Sequence, residues 1–240
     1  MTPWIEVDTA TIPGQGEPMR LMRQDDVFTI CVGNIELMSS LSSQSEAVLA
    51  THVCERLRDP PSARILVGGL GMGFTLRAAL DALGPDSRVV VAELVPAVVA
   101  WARGPLAHLY AGCLDDPRVE IRQDDVNRVI QEEPAFYDAI LLDVDNGPEG
   151  MTRTANDRLY DEWGLKRARY ALKPGGVLAV WSGGPDRKFK ARLRRTGFAV
   201  EERRVHAHGT SGRRHVLWFA TLPHGREDSI RAFRPSGPAA

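Results

Sequence analysis

One stretch of the sequence, Arg64–Gly84, constrains the fold more than any other. It begins with the apolar run Ile65–Val67, which is typical of a buried strand, and continues into a cluster of glycines. Apolar residues then recur at helical spacing until Gly84 and Pro85 end the pattern. The segment predicts a strand, a tight turn and a helix, an arrangement in which a ligand can approach the backbone closely. The glycines of the turn are Gly68, Gly69, Gly71 and Gly73.

A second apolar strand, Arg88–Ala92, leads directly into the acidic residue Glu93. In nucleotide-binding α/β folds, an acid about 20 residues past the glycine turn hydrogen-bonds the hydroxyl groups of a ribose. The turn and the acid together indicate a nucleoside-bearing cofactor, either a nicotinamide dinucleotide or S-adenosylmethionine. A packing role for the glycines alone is the alternative.

Apolar strands and helical segments alternate along the rest of the chain, with strands predicted at Arg118–Arg122, Tyr137–Asp143 and Val177–Trp181. Since parallel strands need crossover helices, this alternation predicts a parallel sheet. The last two strands, Phe198–Val205 and His215–Thr221, predict an antiparallel hairpin. The expected fold is therefore α/β and Rossmann-like: the class I methyltransferase fold, a mostly parallel seven-stranded sheet with a terminal antiparallel hairpin. This topology favours S-adenosylmethionine over a nicotinamide cofactor.

The prolines and glycines of residues 1–18 predict an irregular arm. The short strands that follow, separated by the turns Asp25-Asp26 and Gly33-Asn34, predict a small β-meander. The serine-rich segment Ser39–Ser45 follows and precedes a helix. Its hydroxyls either cap that helix or meet the polar end of a ligand. The expected domains are an N-terminal arm and meander (1–40), a nucleoside-binding transferase domain (41–222) and a frayed C-terminal tail (223–240).

Composition and charge narrow the class of protein. The formal net charge is −1, but acidic residues predominate in 1–160 and basic residues in 161–240. We interpret the basic part as solvated helix faces rather than a nucleic-acid surface, because no aromatic side chains of the stacking kind are interleaved with it. The three scattered cysteines predict a reducing compartment and no zinc site. The N-terminus has no leader pattern and no stretch is apolar enough for a bilayer, so a cytoplasmic protein is expected.

Further acidic residues are predicted at the edge of the sheet where the strands end, which is where such folds bind ligands. Asp124 and Asp125 follow the third strand, and we expect Asp125 to accept a hydrogen bond from an adenine amino group. Capping of the following helix is the alternative for both residues.

The reaction centre is expected at Asp143, which ends the fourth strand beside the position of a sulfonium carbon. Group transfer from a sulfonium is a displacement that needs alignment, and a carboxylate can hold an incoming amine and take its proton. Asp145 and Glu149 would add negative potential suited to a cationic acceptor, although Asp145–Gly147 is alternatively a plain turn. Neither a metal nor a covalent intermediate is expected.

From Ile65 to Leu178 the chain resembles the spermidine synthase family of aminopropyltransferases. The resemblance implies that Glu93 binds ribose, that Asp125 lies near adenine and that Asp143 is catalytic. It also implies a substrate contact at Tyr160, a small N-terminal β-domain and a homodimer. The segments that carry it are Gly68–Gly73, Glu93–Pro96, Tyr137–Asp143, Gly147–Glu149, Leu159-Tyr160 and Leu172–Val177.

The chain departs from the pattern of that family at three places. Gly71 stands where the family has an acid that holds the aminopropyl end of the donor. An Asp-Ser-Ser-Asp-Pro run after the fourth strand is shortened here to Asp143–Asn146. The acidic and Tyr-His pairs that read a polyamine are replaced by Leu41–Glu46, which is mostly serine.

The expected function is that of a transferase that uses S-adenosylmethionine or its decarboxylated form to alkylate a small, amine-bearing acceptor. The missing polyamine residues slightly favour methyl transfer, whereas the family resemblance favours aminopropyl transfer. A nucleoside-binding module without catalysis and a dehydrogenase are the alternatives. No membrane partner is expected, and a nucleic acid is disfavoured.

Overall fold

The computed structural model describes residues 2–14, 16–57, 62–144, 147–148, 157–208 and 211–224. A small antiparallel sheet, β1–β4, precedes a seven-stranded sheet flanked by helices on both faces. The strands are β1 (Ile5–Ala10), β2 (Met19–Gln24), β3 (Val27–Val32), β4 (Ile35–Ser39), β5 (Arg64–Gly68), β6 (Arg88–Ala92), β7 (Val119–Arg122), β8 (Tyr137–Leu142), β9 (Leu172–Ser182), β10 (Ala199–His208) and β11 (Ser211–Thr221). The helices are α1 (Gln44–Cys54), α2 (Phe74–Ala82), α3 (Pro96–Arg103), α4 (Ala107–Tyr110), α5 (Val126–Val129), α6 (Asp157–Tyr160), α7 (Glu162–Ala171) and α8 (Arg187–Arg195).

The larger sheet has the order β10-β11-β9-β8-β5-β6-β7, in which β9, β8, β5, β6 and β7 are parallel. Strand β11 runs antiparallel to both of its neighbours, which confirms the predicted terminal hairpin. The central strands are apolar and buried because helices cover both faces of the sheet. The predicted fold class is therefore confirmed.

The strand order reverses next to β5, and this reversal creates the binding crevice. From β5 the chain proceeds outward to β6 and β7, then returns to the other side of β5 to form β8 and β9. The ends of β5 and β8 are tied together, since the backbone N–H of Asp143 donates to the carbonyl of Gly68 at 3.0 Å. Ligands of open α/β sheets bind at such a reversal, beyond the carboxyl ends of the strands.

The N-terminal arm differs from the prediction. Ile5–Ala10 is not irregular: it forms β1 and pairs antiparallel with β2, with a register shift between Glu6 and Asp8. Most of its side chains are exposed, so it lacks the alternating burial that reveals a strand from sequence. Backbone pairing at the edge of the small sheet holds it in place. The predicted tail lies largely outside the described residues, and the domain boundaries stay predictions.

The start of helix α1 also differs from the prediction. The sequence suggested a capping box at Ser43, yet the Ser43 side chain makes no capping hydrogen bond. The helix packs against α2 and against β8, β9, β10 and β11, so its first turn lies over the large sheet. The serine-rich segment is thereby brought to the same side of the molecule as the ends of the central strands.

Candidate functional site

A cavity that is partly open to solvent lies at the carboxyl ends of β5, β6 and β8. One wall is the edge of the large sheet and the other is the small N-terminal sheet. Apolar side chains dominate the second wall, and the polar groups come from the loops that follow the strands. The polar residues that line it are Glu93, Asp124, Asp125 and Asp143, together with the glycines Gly69 and Gly71.

The glycine turn forms the floor of this cavity and cannot carry side chains. Gly69 has φ +90°, and a Cβ added there would lie 2.4 Å from the carbonyl oxygen of Asp143. Gly71 has φ +50°, and a Cβ there would lie 2.9 Å from the terminal methyl of Met38. Both conformations favour glycine, and the bare backbone is open to a ligand. Gly68 ends β5 and Gly73 precedes α2, so both support the turn without lining the cavity.

Glu93 is buried at the end of β6, where two backbone groups fix its carboxyl. One oxygen accepts from the N–H of Leu70 at 2.9 Å and the other from the N–H of Val95 at 2.8 Å. Burial raises the pKa of Glu93, and these hydrogen bonds oppose that rise. The backbone N–H groups of Gly71 and Leu94 also act on this carboxyl and help to hold its pKa down, and a contact of Glu93 with ribose hydroxyls stays a prediction.

The two aspartates after β7 both line the cavity, and both also make local hydrogen bonds. Asp125 caps α5, since its Oδ1 accepts from the backbone N–H of Asn127 at 2.8 Å. Asp124 accepts from the N–H of Asp125 at 2.8 Å. The capping role that the sequence offered as an alternative is therefore present for Asp125, and a contact with adenine stays a prediction.

Asp143 follows β8 and lies at the inner end of the cavity. The hydroxyl of Thr75, in the first turn of α2, donates to its Oδ2 at 2.6 Å. Burial of the carboxyl away from bulk water raises the pKa of Asp143 to about 6, and the hydrogen bond from Thr75 limits the rise. A carboxyl with a pKa this close to neutrality is suited to take a proton from an amine and to release it again.

Of the three residues predicted to contact the acceptor, Tyr160 is among the described residues. Asp145 and Glu149 lie outside the described residues. Tyr160 is buried, its ring packs edge-on against Phe189, and its hydroxyl points at the carbonyl of Val144 at 3.4 Å. It does not line the cavity. A substrate contact of Tyr160 stays a prediction, and the structure gives this side chain a place in the core under the site.

The small N-terminal sheet supplies site residues that the sequence analysis did not select. Their only signal was the apolar alternation of the meander, which indicates a buried face but not what that face covers. The residues of this wall are Ile12, Met19, Ile30, Leu37 and Met38.

A polar cluster at the start of α1 was also missed. Ser45 is buried, and its hydroxyl lies 2.6 Å from the Glu46 carboxylate, 3.0 Å from Nδ1 of His215 and 3.0 Å from the indole nitrogen of Trp181. Burial and the nearby charge of Asp143 raise the pKa of Glu46 to about 7. The capping-box interpretation had assigned these side chains a purely local role.

The described residues contain no cluster of three or more histidine, cysteine or acidic side chains able to hold a metal ion. Within the same residues no helix combines the length and apolarity required to cross a membrane.

The fold and the position of the cavity together define a class: α/β proteins with a class I methyltransferase-like fold and a pocket at the strand-order reversal. Comparison with solved structures agrees. The spermidine synthase of Thermotoga maritima superposes with a TM-score of 0.70 at 21% identity, over 96% of this chain and 76% of that one. Human methyltransferase-like protein 13, in complex with SAH, gives a TM-score of 0.57 at 20% identity over 77% of this chain and 84% of that one.

Sequence comparison narrows the class further. Polyamine aminopropyltransferase 2 of Pseudomonas aeruginosa is 32% identical over 126 residues, which is 51% of this chain and 34% of that protein. The chain thus spans about a third of the length of this curated relative. No protein-family model matches the chain. The predicted resemblance is confirmed: the chain is similar in sequence to part of a polyamine aminopropyltransferase, and it has the class I methyltransferase-like fold that spermidine synthase shares.

Proposed function

We propose that the protein transfers an alkyl group from an adenosyl sulfonium donor to a small amine, with aminopropyl transfer from decarboxylated S-adenosylmethionine as the leading form. The observation that carries the proposal is the Asp143 carboxyl, held by Thr75 in the cavity beside the bare backbone of Gly69 and Gly71. The relative named as a polyamine aminopropyltransferase favours aminopropyl over methyl transfer.

The residues of the cavity fit a nucleoside donor. Glu93 offers carboxylate oxygens for the ribose hydroxyls, and Ala92, Leu94, Val95 and Val98 offer an apolar surface for a flat base. When bound, the donor supplies an electrophilic carbon on a positively charged sulfur. The protein then has to align a nucleophile with that carbon and exclude water.

Asp143 performs the acid–base work in this proposal. A protonated amine binds beside the carboxylate and gives it one proton, which leaves a neutral nitrogen with a free lone pair. That lone pair forms the new C–N bond while the electrons of the breaking C–S bond stay on sulfur, which becomes a neutral thioether. The product nitrogen carries the positive charge, and the proton on Asp143 leaves to solvent before the next cycle.

Methyl transfer from S-adenosylmethionine is the second candidate, and the contact between Gly71 and Met38 favours it. The family resemblance implies an acid at position 71 that holds the aminopropyl ammonium group. Here that place is filled by a thioether, since a Cβ on Gly71 would lie within 3.0 Å of both Sδ and Cε of Met38. The side chain that occupies the space beside position 71 is therefore uncharged.

Calorimetric binding separates these functions. We expect decarboxylated S-adenosylmethionine to bind more tightly than S-adenosylmethionine, with methylthioadenosine as the control for the shared nucleoside and NAD as the control for a dehydrogenase. Tighter binding of the carboxylated donor would make methyl transfer the function. Binding of a donor without product in any amine screen would indicate a nucleoside-binding module, and binding of NAD alone would refute the proposal. Homodimer formation and a cytoplasmic location stay predictions.

A further inference from the structure

Tyr110 is a buried aromatic side chain to which the proposed function gives no role. It ends the short helix α4, and only 1% of it is exposed. Its hydroxyl donates to the backbone carbonyl of Gly71. Its ring lies against Gly73, where an added Cβ would come within 2.5 Å of two ring carbons. The side chain thus contacts two of the four glycines of the turn, although it does not line the cavity beside them.

The peptide groups around Gly71 are held from two directions. The N–H of Leu70 donates to the Glu93 carboxyl at 2.9 Å, and the N–H of Gly71 acts on the same carboxyl. The carbonyl of Gly71 is bound by Tyr110 instead. Because Gly71 lines the cavity, the backbone that a ligand would meet there is shaped by one side chain after β6 and by another at the end of α4.

The turn needs such support because glycine restrains its own backbone least and loses the most freedom when it becomes ordered. A hydrogen bond from a buried hydroxyl to the Gly71 carbonyl favours one conformation of the turn. Without that hydroxyl, the conformation would leave a buried acceptor unsatisfied, which is costly. Burial and the charge of Glu93 raise the pKa of Tyr110, so its hydroxyl stays protonated and remains a donor.

The position of Tyr110 is set by the way in which α4 meets α2. Arg77 in α2 donates to the carbonyl of Leu109, the residue before Tyr110. Directly after the tyrosine the chain turns away through Ala111 and Gly112, which have φ +49° and +81°. The hydroxyl is therefore placed by elements outside the glycine turn, and it can act on the turn as a fixed support.

We propose that Tyr110 is a positioning residue for the donor: it holds the Gly71 peptide from outside the cavity, so that the turn has its ligand-binding shape before a ligand arrives. The proposal rests on the proposed function for the identity of that ligand as an adenosyl donor. Tyr110 touches neither the donor nor the reacting atoms. It raises affinity because the cost of ordering the turn is met when the protein folds, not when the donor binds.

The first test needs no ligand. The exchange of amide hydrogens is followed by NMR in the wild-type protein, in Y110F and in the control Y137F. Y110F keeps the ring against Gly73 and removes only the hydroxyl, so it is expected to fold. Tyr137 is also buried, but it begins β8, at the end of the strand away from the cavity. The hydrogen-bonded N–H groups of Leu70 and Gly73 should exchange at least about fivefold faster in Y110F and at the wild-type rate in Y137F.

The second test uses the donor site. Y110F is expected to weaken calorimetric binding of methylthioadenosine by about three- to tenfold, because the turn then has to be ordered on binding. At saturating donor, kcat and the KM of the amine should stay within about twofold of the wild type, since Asp143 is not disturbed. A merely structural role would lower the urea midpoint and leave the dissociation constant of the folded protein unchanged.

A pair of glycine variants separates the contact with Tyr110 from backbone strain. Gly73 and Gly112 both have φ +81°, but a Cβ at Gly112 would meet nothing within 4 Å. G73A therefore adds the same strain as G112A together with a collision with the tyrosine ring. We expect G73A to weaken methylthioadenosine binding and G112A to leave it unchanged. Y110F combined with G73A should weaken binding by less than the two single effects together, because both act through one side chain.

Unchanged amide exchange at the turn in a folded Y110F protein would overturn the proposal. Faster exchange in a Y110F protein that binds methylthioadenosine as tightly as Y137F would also overturn it. Faster exchange in Y110F, in a protein whose wild type binds no adenosyl donor, would instead support the hold of Tyr110 on the turn and refute the proposed function.

Discussion

The partly buried Glu46 carboxyl makes folding stability depend on pH. Its pKa is about 7 in the folded protein, against 4.5 for an unperturbed glutamate. The folded state therefore holds a proton that the unfolded state has released across this range. By linkage, the stability contributed by the protonated carboxyl is full below about pH 4.5 and is lost as the pH rises through 7.

The size of the effect follows from the difference between the two pKa values. One unit corresponds to about 1.4 kcal/mol, so neutral Glu46 contributes about 3 kcal/mol in total, of which roughly 2 to 3 kcal/mol is lost between pH 5 and pH 8. Several exposed carboxylates, such as Glu162 beside Lys166, have lowered pKa values and act in the opposite direction. The change in the wild-type free energy of unfolding with pH therefore combines opposing contributions. Only its difference from the change measured for E46Q gives the contribution of Glu46.

Urea unfolding, followed by tryptophan fluorescence at pH 5 and pH 8, measures this difference. We expect E46Q to gain roughly 2 to 3 kcal/mol relative to the wild type on going from pH 5 to pH 8. E133Q, the same substitution at an exposed residue, is the control and should track the wild type. If E46Q and the wild type keep a constant difference in the free energy of unfolding at the two pH values, Glu46 is ionised in the folded protein and the reasoning fails.

Four further perturbations test the site. D143N should abolish transfer while leaving calorimetric binding of the nucleoside donor within a few-fold of the wild type; unchanged product formation would remove Asp143 from the chemistry. T75V removes a hydrogen bond that favours the charged form of Asp143, so the acidic limb of the pH–rate profile should move to higher pH, and a shift to lower pH would contradict the geometry. E93Q should weaken binding of methylthioadenosine by at least about tenfold, since it takes a charge from the predicted ribose contact. G71A should lower the free energy of unfolding by about 1–2 kcal/mol, because φ is +50° and Met38 occupies the space of the new methyl, and an unchanged urea midpoint would show that the turn relaxes freely.

Local sequence patterns were sufficient to predict the large sheet and the edge at which the cavity lies. The apolar runs at β5, β6 and β8 are buried on both faces and are therefore continuous in sequence, and the glycines between β5 and α2 mark a backbone that must turn tightly. Glu93, Asp125 and Asp143 follow strand ends, and parallel strands end at one edge. Their common location at the cavity could be predicted for that reason alone.

What the sequence could not determine is which distant elements meet this edge. The apolar residues of the meander, such as Met38, indicate a face that is covered at least in part, but only the packing of the small sheet against the glycine turn makes them a wall of the cavity. Ser45 fits a helix start in sequence, and its contacts with Trp181 and His215 span more than 130 positions. Periodicity and capping patterns describe neighbours along the chain, whereas the contacts of Ser45 with the large sheet depend on how α1 docks on it, which is a property of the tertiary structure.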